Sequence, residues 1–123
     1  MFAAAITFNA PIGVWNTSGV TQAWGTFFQA SSFDQNLSNW DLSSISGNPT
    51  VSGWDTPGGG NFQLSQANYN ALLIAWDAYN YPSVNSGTWN FGNSTFDCAP
   101  SAAATAHTSL VTKWGGISDG GCT

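Results

Sequence analysis

A single base, Lys113, stands in the 123 residues; arginine and glutamate are absent, and six aspartates are the only acids. Charged residues make up 6% of the chain and its net charge is −5, where ordinary domains carry roughly a quarter charged residues. Too few cations are present to neutralise a run of phosphates, so nucleic acid is excluded as a partner. Apolar runs are short, none near the roughly 18 residues that a membrane-spanning helix needs. The opening residues, Met1 to Ile6, are apolar but lack the basic flank and length of a signal peptide. They read as part of the fold. Histidine occurs once and cysteine twice. Phosphate-loop, EF-hand and G-x-S-x-G patterns are missing.

What is present is aromatic. The chain is 42% hydrophobic and 15% aromatic, with seven tryptophans, enough apolar area to order a chain that low charge alone would suggest is disordered. Its polarity comes from Ser, Thr, Asn and Gly. A neutral hydrogen-bonding surface of this kind suits extracellular or virion proteins.

The first 50 residues repeat once, without a gap. Phe2, Ala5, Phe8 and Asn9 return 25 residues later as Phe27, Ala30, Phe33 and Asp34. Ile12, Trp15, Asn16, Ser18 and Val20 return as Leu37, Trp40, Asp41, Ser43 and Ile45. A fixed period in this range marks a stacked repeat, in which each turn buries its apolar face only against its neighbours. Ile12-x-x-Trp15-x-Thr17 and Leu37-x-x-Trp40-x-Leu42 approximate a leucine-rich-repeat strand, so parallel strands are expected at 11–16 and 36–41, with Trp15 and Trp40 in one column and Phe8 on Phe33 in another. Short helical turns are expected at 1–5 and 21–30. Asp34 and Asp41, standing for Asn9 and Asn16, suggest side chains bonded to turn backbone.

The third turn loses the pattern: Ser65 occupies the position of the next tryptophan. Residues 51–61 read as a loop, with one strand near 51–54 and Gly58-Gly59-Gly60 as a turn. Ser65 then caps a helix in which Tyr69, Leu72, Leu73 and Trp76 fall on one face, ending near 78–80 before Pro82. A connecting loop covers 80–87 and a strand covers 88–91. Ser101 caps a second helix with Ala103, Ala106, Leu110 and Trp114 inward and Gly115 as its stop, before a last strand at 116–118. The expected fold class is therefore α/β: a short parallel-strand solenoid of two 25-residue repeats (1–50), a loop (51–61) and a helix–strand–helix–strand cap (62–123), in one compact domain.

Candidate chemistry is sparse. Cys98 and Cys122 allow one pairing, and a disulfide closing about 25 residues would stabilise by roughly 3–4 kcal/mol and imply an oxidising compartment; two buried thiols are the alternative. His107, on the flank of the second helix, lacks a nucleophile and an orienting carboxylate in any recognisable pattern. Asp55 and Asp119 lie beside glycines but outside any calcium-loop spacing. Neither a metal, a cofactor nor a catalytic residue is expected. The solvent face of the strands supplies candidate binding residues: Gly13, Val14 and Asn16 beside Ser38, Asn39 and Asp41. Phe2 and Phe8 mark an open N-terminal repeat edge, expected to be covered by preceding repeats or by another copy of the chain.

The motif M-F-x-x-A-x-x-F-N-x-P-I-x-x-W-N-T-S-x-V-T, followed by F-x-x-A-S-S-F-D-Q-N-L-S-N-W-D-L-S, resembles the 25-residue repeat of BspA-like surface proteins, bacterial relatives of leucine-rich repeats. L-S-x-A-N-Y-N-A-L-L-I-A-W and I-S-D-G-G are similar to the segment that ends such arrays. The chain departs from that family in having two repeats only, and in Ala23 and Thr26 where methionine is common. The resemblance implies a secreted or surface-displayed, non-enzymatic protein for adhesion, with a protein or glycan on a host or neighbouring surface as partner. The alternative is a structural subunit or tip of a larger assembly, such as a viral fibre, docking through Phe2 and Phe8.

Overall fold

Ring contacts within the first copy recur 25 residues later in the computed structural model, which describes residues 2–21, 25–44, 62–79 and 89–123. In the first copy Phe2 stacks on Phe8 with ring centroids 4.0 Å apart, and Trp15 leans on Phe2 at 6.0 Å. In the second, Phe27 stacks on Phe33 at 4.2 Å and Trp40 leans on Phe27 at 5.9 Å. The copies lie against each other through Phe2 on Phe27 (5.7 Å) and Phe8 on Phe33 (5.8 Å). Backbone repeats too: Ala4 and Gln29 have φ of 59° and 58°, inside turns closed by Ala5 N–H to Phe2 O and Ala30 N–H to Phe27 O. A side chain costs about 1–2 kcal/mol in that left-handed region. The same costly turn in both copies points to stacking, not local propensity, as its cause.

The expected strands at 11–16 and 36–41 do not form. Ile12–Val14 is a 3-10 turn, and 36–41 has no regular structure beyond a turn at 38–39. The reason is that side chains, not main-chain pairs, bond the two layers here. Asn9 Oδ1 accepts the Asp34 N–H at 2.8 Å, Trp40 Nε1–H donates to the Ile12 carbonyl at 2.9 Å, and the Thr17 hydroxyl both accepts from Asp41 N–H and donates to Asp41 O. Main-chain bonds between layers run from Phe2 N–H to Thr26 O and from Ala4 N–H to Phe28 O. Turns at 3–4 and 25–29 stand where short helical turns are expected. Nor do Trp15 and Trp40 share one environment: Trp15 is 47% exposed and Trp40 6%.

The third layer is built differently but makes the same contacts. Phe62 stacks on both Phe27 (5.9 Å) and Phe33 (6.4 Å). Helix α1 (Gln66–Ala78) follows, capped by the Ser65 hydroxyl on Asn68 N–H. Ser65 N–H bonds Asp34 Oδ1 as Asp34 N–H bonds Asn9 Oδ1. The Asn68 amide reaches Asp34 as the Gln35 amide reaches Asn9. Trp76 Nε1–H meets the Leu37 carbonyl at 3.2 Å as Trp40 meets Ile12. Eleven positions separate Ser65 from Trp76, six separate Asp34 from Trp40. At 1.5 Å per helical residue the eleven span about 16 Å, which six non-helical residues, at up to about 3.3 Å each, can match. The helix needs more residues for a similar reach.

Beyond it, β1 (Trp89–Asn90), α2 (Ala102–Trp114) and β2 (Ile117–Ser118) form a parallel strand–helix–strand unit, with Trp89 paired to Ile117 and Asn90 to Ser118. The Ser101 hydroxyl caps α2, and Gly115 at φ 88° ends it. Asn93 N–H to Phe62 O and Leu64 N–H to Ser94 Oγ tie this unit to the third layer. Both helices point the same way, since Asn70 meets Asp97 ahead of α2 and Asp77 meets Lys113 at its end. Tyr69, Leu72, Leu73 and Trp76 of α1 and Ala103, Ala106, Leu110 and Trp114 of α2 are buried, and Trp114 stacks on Trp89 at 4.5 Å. The expected loops at 51–61 and 80–87, with the strand near 51–54, lie outside the described residues.

Candidate recognition face and the buried network behind it

The face formed by Gly13, Val14, Asn16, Ser38, Asn39 and Asp41 takes its shape from the layer contacts. Because the copies stack 25 residues out of phase, Val14 sits level with Asn39 and Asn16 with Asp41. Val14 is 88% exposed; Asn16 and Asn39 are also exposed, while Ser38 and Asp41 are half-buried. Gly13 is required at its place, because a Cβ there would run into the Asn36 carbonyl oxygen of the next layer.

The polar residues of this face are partly engaged. Asn16 Oδ1 accepts from Ser18 N–H at 3.1 Å and from its hydroxyl at 2.7 Å. Asp41 Oδ1 accepts from Ser43 N–H at 2.8 Å. These are turn bonds of the Asx type; hydrogen bonds from the Ser43 side chain and backbone hold the Asp41 carboxyl below its ordinary range. Asn9 and Asp34 differ, since their side chains bond the next layer and not their own turn. What the face leaves free to a ligand is the exposed Val14 side chain, the Asn39 amide and the donor side of the Asn16 amide. Phe2 and Phe8 lie at its border, half-buried, and are not part of it.

Behind the face, titratable groups knit the cap. Asp119, whose side chain is 7% exposed, accepts from the Tyr69 hydroxyl at 2.6 Å and pairs with His107 Nε2 at 3.0 Å. Its second oxygen accepts from Gly121 N–H. The His107 ring stacks on Phe96 at 4.2 Å. Burial, reinforced by Asp119, pushes the Tyr69 hydroxyl far above its ordinary range, so it remains a neutral donor. Sequence reasoning places His107 on the helix flank but misses Asp119 as its partner; the two are only 12 residues apart, yet a strand end lies between them. Lys113 Nζ reaches Asp77 Oδ1 at 2.7 Å and Asp77 O at 3.1 Å. Burial raises the Asp77 carboxyl, but hydrogen bonds from Lys113 and Ser109 and the Lys113 charge outweigh it and hold the group below its usual range.

Cys98 and Cys122 are joined by a disulfide, both at the surface, beside the pairing of Phe96 with Cys122. It fixes the last segment to the stretch between β1 and α2. Among the described residues, no three His, Cys, Asp or Glu side chains gather to hold a metal ion, and no helix is long and apolar enough to cross a membrane. Asp55 lies outside the described residues.

Residues 1–57 match the family described as Mycoplasma protein of unknown function, DUF285. No curated protein and no solved structure matches the chain. The DUF285 match takes in both 25-residue copies and the whole candidate face; Ser65, Asn68 and Trp76, which repeat the layer contacts from a helix, lie beyond it.

Proposed function

We propose that this chain is a non-enzymatic extracellular module of the BspA-like surface-repeat type, the closing end of a solenoid, which recognises a protein or glycan on a host or neighbouring surface. The observation that supports this reading most is the two-tier face, where Val14 and Asn16 stand over Asn39 and Asp41 on a stacked aromatic base. A rigid base lowers the ordering cost of binding. The surface disulfide agrees with an oxidising compartment. The buried acid of the cap has its bonds committed within the protein, to Tyr69, His107 and Gly121.

The full chain with its disulfide intact, passed over an array of glycans and extracellular-matrix proteins, should retain on some of them. The double variant Val14→Asp/Asn39→Asp should lose about tenfold or more of that binding while its circular dichroism stays unchanged. Retention no greater than that of an unrelated acidic domain of similar size would end this reading. The second reading, a structural subunit of a larger assembly, is favoured by one observation, the half-covered Phe2 and Phe8 edge.

A further inference from the structure

The pattern Asn-x-Ser/Thr, which marks acceptors of N-linked glycans, begins at Asn16, Asn36 and Asn93, while Pro49 bars it at Asn48. In a chain so rich in Asn, Ser and Thr the pattern alone decides nothing, but geometry separates the three. We infer that Asn16, with Ser18, is an N-glycosylation site of the folded protein, taking an oligosaccharide from a polyprenyl-diphosphate carrier.

A transferase reads the asparagine amide and the hydroxyl residue two places on, and the residue between them can face away. Asn16 and Ser18 are both exposed, while Thr17 is buried with its hydroxyl committed to the Asp41 backbone. Asn16 Oδ1 accepts from the Ser18 N–H at 3.1 Å and from its hydroxyl at 2.7 Å. The amide nitrogen meets no acceptor among the described residues. In the transfer, Nδ2 displaces the diphosphate at the anomeric carbon of the sugar. The N–C bond forms, the C–O bond breaks, the diphosphate leaves with the electron pair, and one amide proton passes to a base of the transferase. As that proton leaves, negative charge collects on Oδ1, where two donors already stand to stabilise it.

The related turns each lack one part. Asp41, the counterpart of Asn16, accepts from Ser43 N–H in the same way but has no amide nitrogen. Asn90 accepts from Gly92 N–H, and glycine has no hydroxyl. Asn36 accepts from Ser38 N–H at 2.9 Å, but Ser38 is half-buried. After Asn93, Thr95 is half-buried and packed so closely on Gly120 that a Cβ there would lie 2.8 Å from its methyl. A glycan is bulky and solvated; on Asn16 it would cover Val14 and Asn39, so its attachment closes the two-tier face. The inference rests on the extracellular reading for access to a transferase, and on no binding by the face itself.

The folded, disulfide-bonded chain is incubated with an oligosaccharyltransferase and a polyprenyl-diphosphate oligosaccharide, beside a synthetic Asn-x-Thr peptide that reports turnover. Intact mass and peptide mapping should show one glycan, on Asn16. Asn16→Gln and Ser18→Ala should each lose that mass and Ser18→Thr should keep it, with circular dichroism unchanged in all three. No added mass on the native chain while the peptide is modified overturns the inference. So does a glycan on Asn36 or Asn93 in place of Asn16, or a Ser18→Ala chain modified as fully as the parent. The glycan and matrix array is read on the unmodified chain, so failure there and failure here are told apart.

Discussion

Replacing tryptophan by phenylalanine at four positions separates the hydrogen bond from the size of the ring. The same atoms are removed each time. In a buried site the loss of ring area and the cavity it leaves cost about 1–2 kcal/mol. At Trp40 and Trp76 the substitution also removes one of two hydrogen bonds to a carbonyl, of Ile12 and of Leu37. Each carbonyl keeps a backbone donor, Trp15 N–H and residue 40 N–H respectively, so the loss adds about 0.5–1.5 kcal/mol. Trp40→Phe and Trp76→Phe should thus each destabilise by about 1.5–3.5 kcal/mol. Trp89 is equally buried, but its Nε1 has no hydrogen-bond partner among the described residues, so losing that N–H relieves a desolvation penalty of about 1–3 kcal/mol. Trp89→Phe should fall between about 2 kcal/mol of gain and 1 kcal/mol of loss. Trp15→Phe, half in solvent, should cost under about 0.5 kcal/mol. Urea unfolding followed by far-ultraviolet circular dichroism, with equal slopes across the series, gives the values. If Trp89→Phe is as damaging as Trp76→Phe, the hydrogen-bond accounting is wrong, and so is the equivalence of Trp76 with Trp40.

Gly13→Ala should destabilise by about 2 kcal/mol or more, since the new methyl meets the Asn36 carbonyl of the next layer and overpacking outweighs the backbone gain from losing glycine; an unchanged urea midpoint would show that the layers can part there freely. Asp77→Asn should lose up to about 1 kcal/mol at neutral pH, the value of a partly exposed ion pair. Because the folded carboxyl is held below its unfolded value, the Lys113 bond stabilises above about pH 4 and its contribution disappears as acid protonates the group. Stability curves of parent and variant should converge below that pH, and curves that stay parallel down to pH 2 refute the pairing.

Both helices are legible in the chain because their signals are local. Ser65 and Ser101 cap, Gly115 stops, and Tyr69, Leu72, Leu73 and Trp76 follow helical spacing, so α1 and α2 stand within a residue or two of their expected bounds. The 25-residue offset is equally plain, and the contacts of Phe2, Phe8, Asn9 and Ile12 obey it. Two features were hidden. A leucine-rich-repeat spacing suggests strands, but Thr17, Asn9 and Trp40 bond the layers with their side chains, and nothing in the spacing distinguishes the two. The third layer was hidden because a fixed register places Ser65 where a tryptophan belongs. The matching residue is Trp76, displaced by the shorter rise of a helix. A search that allowed eleven helical residues to stand for six non-helical ones would have found it. Of the candidate site, the exposed tier of Val14 and Asn39 was readable from the repeat, while the engagement of Asn16 and Asp41 in their own turns depends on coordinates.

The Phe62 and α1 layer ends one geometry and starts another, so on the proposed reading it would close a stack of any length. Among the described residues it docks through Asp34, Leu37 and the rings of Phe27 and Phe33, all within the single unit that precedes it. An engineered ladder with five or ten units could thus keep the same end-piece without altering a residue of it. The number of rungs becomes a free parameter, to be set by gene duplication alone.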